Sequence, residues 1–587
     1  MESTMLNKKM DVAFNEDILQ NILARLPAVH FASAARVCRL WNQICNRILS
    51  RPKLRTALSV NSSLQVAVQE VLDKVLSEPI RPHFAIAFLG LSYNLEDIHR
   101  LITQKLGSKI PIITNAADGM IGIDARTNEI RETKWDLHEE DGDPNNYGGP
   151  SDSVSYHHIN YCGIVLVVGC VPGLKVETIP LLRSSKDAIS MRPRGPKVEM
   201  IYQFLMDIKE YTSSVSDCTS PEAIIMFGDQ RVDLNPVLAQ MDNNLRSETV
   251  IVGDASGCFL FKSGDNSKSC IGNSHSIDAV AFIFVKDVSS NVGGQIRFHV
   301  KMSNGLLPFG PKLKIASVYL DNQDRSWLTA RIVGRPEILD TRGFCIDVRR
   351  EIKDRNPSFY IGVTHKKAEP QQLGSRPYLA FHEVVREAEN WSFAVDGVGI
   401  KPGDSFVFYH TDFNTAVSSN SNLYNDFKIL KTAASSSTSH PSTSTSTINI
   451  YDRVKKDIFG CLIFSGLSRG DSPLELDIRE SWPFAINFPK TPLAGQFSSG
   501  EIARVTAASL IAPDEEEDGN GGGGKKQEAS GCSNSIGCFL HHYSTVYLVM
   551  SCKIMKMYEN IMKEMCKMMK VRENVMEEKC TSISLIL

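Results

Sequence analysis

The 587-residue chain has no run of 18 apolar residues, no Cys-x-x-Cys pair and almost no charge imbalance. The first absence leaves no candidate membrane helix. The formal net charge of -3 leaves no basic footprint for nucleic acid. Fourteen cysteines in so long a chain do not make a disulfide scaffold, and they read as free thiols of a reducing compartment. Structural zinc sites bring paired ligands at short spacing, so no metal site is expected. Met1 to Asp17 holds two lysines with no apolar segment behind them, which excludes a secretory leader. Residues 1–13 are expected to be disordered, and the chain is expected in the cytoplasm or nucleus. Ser-His-Asp order, a Walker loop and a catalytic cysteine signature are also missing. No catalytic residue and no cofactor are therefore assigned, and lone histidines such as His275 and His410 read as structural.

What is present is core material. Apolar residues make up 42% and charged residues 22%, the composition of a soluble globular protein, and the length sets a prior of roughly four domains. The most informative stretch is Phe14 to Leu54. Asn15 can cap a helix, with Glu16 and Asp17 at the positive end of its dipole. Ile18, Leu19, Ile22, Leu23 and Leu26 recur at helical spacing, and Pro27 ends the run. Ala34, Val37, Cys38, Trp41, Ile44, Cys45 and Ile48 repeat the period, so three short helices are predicted. Forty residues with so much apolar surface make a poor solitary core, which implies either packing on the rest of the chain or a partner.

These motifs carry a resemblance. The acidic first turn, Ile-Leu-x-x-Ile-Leu-x-Arg-Leu-Pro and Val-Cys-Arg-x-Trp resemble the F-box over nearly its whole length, with Phe14-Asn15 where the family usually has Leu-Pro. The resemblance implies an F-box over 14–58 that docks in a groove of the Skp-type linker of a cullin ubiquitin ligase. The residues matching the family's contact positions are Ile18, Leu19, Leu26, Pro27, Val37 and Trp41. Some of these must be internal core, and the sequence does not sort them.

Beyond a predicted helix over 59–77, strands and helices alternate: His83–Leu89, Leu95–Leu106, Ile110–Ile113, Cys162–Val168, Val198–Tyr211, Ala223–Phe227, Leu234–Leu245 and Thr249–Val252. Parallel pairing is the simplest packing for such units. Strands follow at Val280–Val285, Gln295–Val300 and Leu313–Leu320. The fold class is therefore α+β or α/β: an N-terminal three-helix module, then a large two-part mixed region over 60–325 and 326–551. The acidic, glycine-rich stretch 139–150 reads as a solvated loop rather than a metal site, because the EF-hand ligand pattern is missing. In the second part, Leu423–Leu430 reads as a helix, and the Ser/Thr-rich tract 433–447 and the acidic, glycine-rich 514–537 read as flexible insertions. The methionine-rich stretch within 552–587 is either an adaptable binding helix or an appended, non-native tail.

Three motifs of the second part resemble the C-terminal half of the FIST domain (F-box and intracellular signal transduction). They are the turn Ser465-Gly466-Leu467-Ser468-Arg469-Gly470, the run Pro492-Leu493-Ala494-Gly495-Gln496-Phe497-Ser498-Ser499-Gly500-Glu501-Ile502, and the closing Leu540-His541-His542-Tyr543. Ile112 to Gly119 and Val250 to Gly257 are similar to the N-terminal half. The resemblance implies a plant-type F-box/FIST protein whose FIST region senses small, amino-acid-like ligands. The candidate pocket is Asn115, Gly119, Gly253, Ser465, Arg469, Gly470, Gly500 and Glu501. In it, glycine-turn amides and Arg469 would hold a carboxylate and Glu501 an ammonium. The alternative is structural: Arg469 and Glu501 pair with each other or face solvent.

The preferred functional reading is a non-catalytic substrate-recognition adaptor, with the Skp-type linker, a cullin and an unidentified target as partners and neither nucleic acid nor membrane among them. A ligand sensor detached from any ligase is the alternative, and an enzyme acting on a carboxylated metabolite stands third.

Overall fold

The computed structural model describes residues 16–135, 162–183, 195–264, 272–273, 277–290, 294–321, 325–352, 357–365, 378–387, 391–396, 399–435, 456–469, 479–506 and 536–554. The solvated loop 139–150, the N-terminal 1–13, Asn15, His275 and Gly470 lie outside them, as do most of the two insertions and the methionine-rich tail.

The N-terminal module is the expected set of three helices, at 16–23, Ala28–Ala34 and Arg39–Leu49. Leu23, Phe31, Ala34, Ile44 and Cys45 form its core, with Leu19, Leu26 and Trp41 packed around them. Only Ser50 to Pro52 separate it from the strand Lys53–Ser59, which pairs antiparallel with Ile164–Cys170 at the edge of a large sheet. The expected boundary at 58 is thus corrected. Alternation in Lys53–Ser59 serves the sheet, and the module ends with its third helix.

Two sheets stacked face to face make the body. The large one runs in the order Lys53–Ser59, Ile164–Cys170, Phe84–Leu89, Ile112–Ala116, Val250–Lys262, Ala223–Asp229, Ile277–Lys286, Leu174–Leu182, with Glu501–Thr506 and Ile536–His541 attached through Val250–Lys262. The second is Gly294–Asn304, Ser544–Ile554, Lys456–Gly466, Leu493–Ser498, Gly119–Ile123, Ile130–Lys134. Their facing sides hold one apolar core, in which Phe88 and Phe227 of one sheet meet Phe464 of the other at ring separations of 6.4 and 6.1 Å. Helices Leu64–Val75, Leu95–Leu106, Val198–Val215 and Asn235–Asn244 cover the outer face of the large sheet, and Phe413–Ser435 with Trp482–Asn487 cover that of the second. The result is a four-layer α/β/β/α sandwich.

Local rules account for the helix ends. Leu95–Leu106 begins where Asn94 accepts from the Asp97 backbone N–H at 3.0 Å, with Glu96 and Asp97 in the first turn, and stops at Gly107, whose φ of 100° suits glycine.

Pairing across the chain departs from expectation in three ways. Among the named strands only Phe84–Leu89 with Ile112–Ala116, Ala223–Asp229 with Val250–Lys262, and Lys456–Gly466 with Leu493–Ser498 run parallel. The consecutive parts 60–325 and 326–551 interleave: Gly119–Ile123 pairs with Leu493–Ser498, and Glu501–Thr506 with Val250–Lys262. Finally, Leu306–Leu320, Ser326–Ile332, Ser392–Val395, Tyr378–Glu387, Phe359–His365 and Ser405–Thr411 close into a six-stranded barrel filled by Leu313, Phe393, Phe406 and Phe408, so the expected division at 325 falls inside one of its hairpins. The helix predicted over 423–430 is the middle of Phe413–Ser435, which takes in the first three residues of the Ser/Thr-rich tract, and Ile536–His541 takes the last two of 514–537.

Candidate functional site

The strands that carry the quoted motifs end together at one end of the sandwich, and residue parity decides where each side chain goes. Ile113, Val252, Phe464, Ala494, Ala503 and Val546 belong to the core between the sheets. Side chains an even number of residues away share that face: Asn115, Asp254, Gln496, Ser498, Glu501 and Ser544. Cys461, Ile463 and Tyr547 lie on the outer face of the second sheet, and Ser465 and Thr545 go with them. Two buried polar clusters result.

The inner cluster joins motifs that lie far apart in sequence. Asn115 Nδ2 donates to Asp254 Oδ2 at 3.1 Å and to Gln496 Oε1 at 2.9 Å. Asp254 Oδ1 accepts from Ser256 N and Oγ at 3.0 and 2.8 Å, and Asp254 stands opposite Glu501 on paired strands. Glu501 Oε2 accepts from Ser544 Oγ at 2.7 Å. Burial holds the Glu501 carboxyl well above the usual carboxylate range and raises Asp254 as well. Asp118, at the rim and bonded to Ser499 Oγ, is raised to about 6 by burial and by the neighbouring Asp254.

A pH dependence follows from Asp118. The folded chain keeps a proton there up to about pH 6, whereas the unfolded chain releases it near the ordinary aspartate value of 3.8. Because the native state binds more protons in this window, stability falls as pH rises from about 4 through 6. Asp118→Asn is expected to flatten that part of the stability profile measured by urea denaturation; an unchanged profile would place the titration elsewhere.

The outer cluster centres on Arg469, which is fully buried. Its Nη2 donates to Ser303 Oγ at 2.7 Å, Asn420 Oδ1 at 3.3 Å and Glu480 Oε2 at 3.4 Å. Glu480 Oε2 also accepts from Thr545 Oγ1 at 2.8 Å, and Thr545 Oγ1 shares a hydrogen bond with Ser465 Oγ, also 2.8 Å. Tyr547 OH donates to the Glu480 carbonyl, Lys134 Nζ donates to the Arg469 carbonyl, and the guanidinium lies 5.5 Å from the Tyr543 ring centre.

Seven of the eight expected pocket residues are described, and they converge on this end of the sandwich without forming one pocket. Arg469 pairs with Glu480, a residue in no quoted motif, rather than with Glu501. Ser465 joins that outer network, and Asn115 and Glu501 belong to the inner one. Gly119 and Gly253 answer to backbone crowding: a Cβ would lie 2.6 Å from the Thr133 carbonyl oxygen at the first and 1.9 Å from that of Met226 at the second. Gly500 contributes its carbonyl, which accepts from Ala255 N at 2.8 Å. Asp254 and Gln496 stand inside quoted runs but outside the expected set, because what brings them beside Asn115 is strand parity and the stacking of the two sheets, neither of which the motifs carry. A separate surface cavity of about 480 Å³, lined by Arg479, Phe488, Pro489 and Thr491 among others, contains none of the expected residues.

The six residues expected to bind the linker separate by exposure. Leu19, Leu26 and Trp41 pack in the module's own core, while Ile18, Pro27 and Val37 are exposed. Ile22, Val29 and Leu40 are exposed apolar residues as well. Among the described residues, no group of His, Cys, Asp or Glu is placed to hold a metal ion, and no helix is long and apolar enough to cross a membrane.

Residues 14–52 match the model of the F-box domain, the module that binds Skp-type adaptors within cullin ubiquitin ligases. Along nearly its whole length the chain is similar to an F-box/LRR-repeat protein of Arabidopsis thaliana, with 34% identity over 564 residues that cover 94% of this chain and 95% of that protein. A helical module with exposed apolar side chains, a matching domain model and a full-length relative lead to one conclusion: the chain belongs to the F-box protein family.

Proposed function

We propose that the chain is the non-catalytic substrate-recognition adaptor of a cullin ubiquitin ligase in the cytoplasm or nucleus, and that its region beyond the F-box is FIST-like and either recruits a target protein or senses a small ligand that controls recruitment. The observation that carries the adaptor reading is the apolar surface of the F-box. Ile18, Ile22, Val29, Val37 and Leu40 stay exposed on a module of under forty residues, beside a body large enough to have covered them. Such surface is the kind that an apolar groove on a partner buries. The FIST-like reading is supported by the meeting of its motifs, Asn115, Asp254, Arg469 and Glu501 among them, at one end of the sandwich.

The test is co-purification of the full chain with the Skp-type linker. A stoichiometric complex is expected under conditions where other F-box proteins bind. Absence of a complex there would overturn the adaptor reading in favour of a sensor that works without a ligase.

A further inference from the structure

The end strands of the two stacked sheets differ in how their outer edges are closed. Lys53–Ser59 gives its Leu58 carbonyl to Ala125 N at 2.8 Å, and Leu174–Leu182 contains Pro180. Ile130–Lys134 uses the Glu132 carboxylate to hold the backbone N–H groups of Glu480 and Ser481 at 3.1 and 2.7 Å. Such devices blunt an edge strand. Gly294–Asn304, the remaining end, contains no proline, and its register with Ser544–Ile554 runs from Gly294 to Asn304 without a bulge.

The hydrogen-bonding groups of this strand divide by parity. Gly305 N donates to the Tyr543 carbonyl at 3.1 Å, which turns the odd-numbered residues of the strand toward Ser544–Ile554. Ile296, Phe298, Val300 and Met302 therefore direct N–H and C=O to the outer edge, where among the described residues these groups meet no partner. The open stretch ends at Asn304, whose N–H donates to Ser419 Oγ at 3.0 Å.

The side chains of the same residues face the core between the sheets, and Phe298, Val300 and Met302 are only half-buried there. The Phe298 ring lies 5.2 Å from that of Phe284, so Gly294–Asn304 stacks over Ile277–Lys286, the last strand but one of the large sheet. The last, Leu174–Leu182, has no described strand above it, and its Leu174 and Val176 are half-buried too. On this side the second sheet is one strand short.

Charge decides which strand fits. The outer face of Gly294–Asn304 carries Gln295, Arg297, His299 and Lys301, with Lys553 paired beside Gln295. Lys301 is matched by Asp426 at 2.5 Å, whereas Arg297 is exposed and bonds to Gln295 Oε1 at 3.4 Å. The strand contains no acid, so a second copy paired along it would set basic residues against one another. An acidic strand meets the opposite situation.

We propose that an extended segment of a target protein, alternating acidic with apolar residues, adds to Gly294–Asn304 as a further strand of the second sheet. Its backbone takes up the open N–H and C=O groups, its apolar side chains cover Phe298, Val300, Leu174 and Val176, and its acids lie beside Arg297. This rests on the reading of the chain as a recruiting adaptor and names the chemistry of what is recruited.

The experiment is fluorescence anisotropy with the full chain and labelled peptides of about ten residues, the reach of the strand, alternating valine with glutamate or valine with lysine. The glutamate peptide is expected to bind saturably, and the lysine peptide about tenfold more weakly or worse. Val300→Pro removes an N–H that donates to no described group, so it is expected to keep the fold by circular dichroism and to lose about tenfold or more in affinity. Arg297→Glu, an exposed change, is expected to narrow or reverse the preference between the peptides. Glutamate-peptide binding that both variants leave unchanged overturns the location. Equal binding of the two peptides by the unaltered chain overturns the acidic partner. Binding of neither peptide overturns the proposal, and so does a dimer in sedimentation that Val300→Pro abolishes, which would give the edge to a second copy. Co-purification with the Skp-type linker decides the adaptor reading separately in every case.

Discussion

Replacing Arg469 with alanine is expected to cost about 3–5 kcal/mol of stability, the range for breaking a buried ion pair by removing one partner. The size of the effect comes from what is left behind. Glu480 is buried beneath the helices Phe413–Ser435 and Trp482–Asn487, and the charge compensating it is the Arg469 guanidinium, with Thr545 and Asn420 as neutral donors. Without Arg469 the carboxylate must either take up a proton or stay ionised in a dry site, and Ser303 and Asn420 lose their shared donor. Glu480→Ala should cost a similar amount, since it strands the guanidinium instead. The double replacement Arg469→Met with Glu480→Leu should recover most of the loss, because replacing a whole buried pair with apolar side chains is often near neutral. Urea denaturation of the three variants checks this. A loss under about 1 kcal/mol for Arg469→Ala would mean that the pair is solvated and would reopen Arg469 as a ligand-binding residue.

The same residue shows how far the sequence could be read. Arg469 was recognisable as important from its turn, but its partner was not, because Glu480 stands in no motif and reaches Arg469 from a neighbouring loop. Elements governed by local rules were legible: Leu95–Leu106 follows from Asn94, the acidic first turn and Gly107, and the F-box helices follow from their period and Pro27. Elements defined by distant partners were not. Nothing in Gly119–Ile123 announces that it pairs with Leu493–Ser498, and alternation alone fits a barrel strand such as Ser405–Thr411 as well as a strand of a flat sheet. Pocket membership failed for a related reason. Strand parity puts Ser465 and Glu501 on opposite sides of the second sheet, and this emerges only once the sheets are known to stack. Glycines that looked like ligand turns, Gly119 and Gly253, are where backbones come too close for a side chain.

The F-box is also held against the body. Ala28 N donates to the Leu76 carbonyl at 3.0 Å, at the end of the helix Leu64–Val75, and the Leu49 carbonyl lies 3.7 Å from Cys170 Sγ. With three residues between the last F-box helix and the first strand, the exposed apolar face of the F-box and the polar end of the sandwich belong to one continuous structure rather than to modules on a flexible tether. A partner docked on the F-box therefore meets the body in a set orientation.

Val37→Glu is expected to weaken binding of the Skp-type linker by about 2–4 kcal/mol, roughly 30- to 1,000-fold in Kd, while leaving the F-box folded. Val37 is 63% exposed, so a glutamate there meets water in the free protein and costs the fold little. In a complex that covers Val37, the same carboxylate loses its water without gaining a partner. Leu26→Asp, which the sequence alone would recommend, is a poorer probe. Leu26 packs with the Leu23, Phe31 and Ile44 core, so a charge there unfolds the module and removes binding for the wrong reason. The comparison separates docking from folding when helical circular dichroism and linker affinity are measured together. Val37→Glu should keep its helix signal and lose affinity, and Leu26→Asp should lose both. Ile22→Glu, on another exposed apolar position, should behave as Val37→Glu does if one face carries the contact. Full affinity in both Ile22→Glu and Val37→Glu would place the linker on a different side of the F-box and leave its exposed apolar face to another partner.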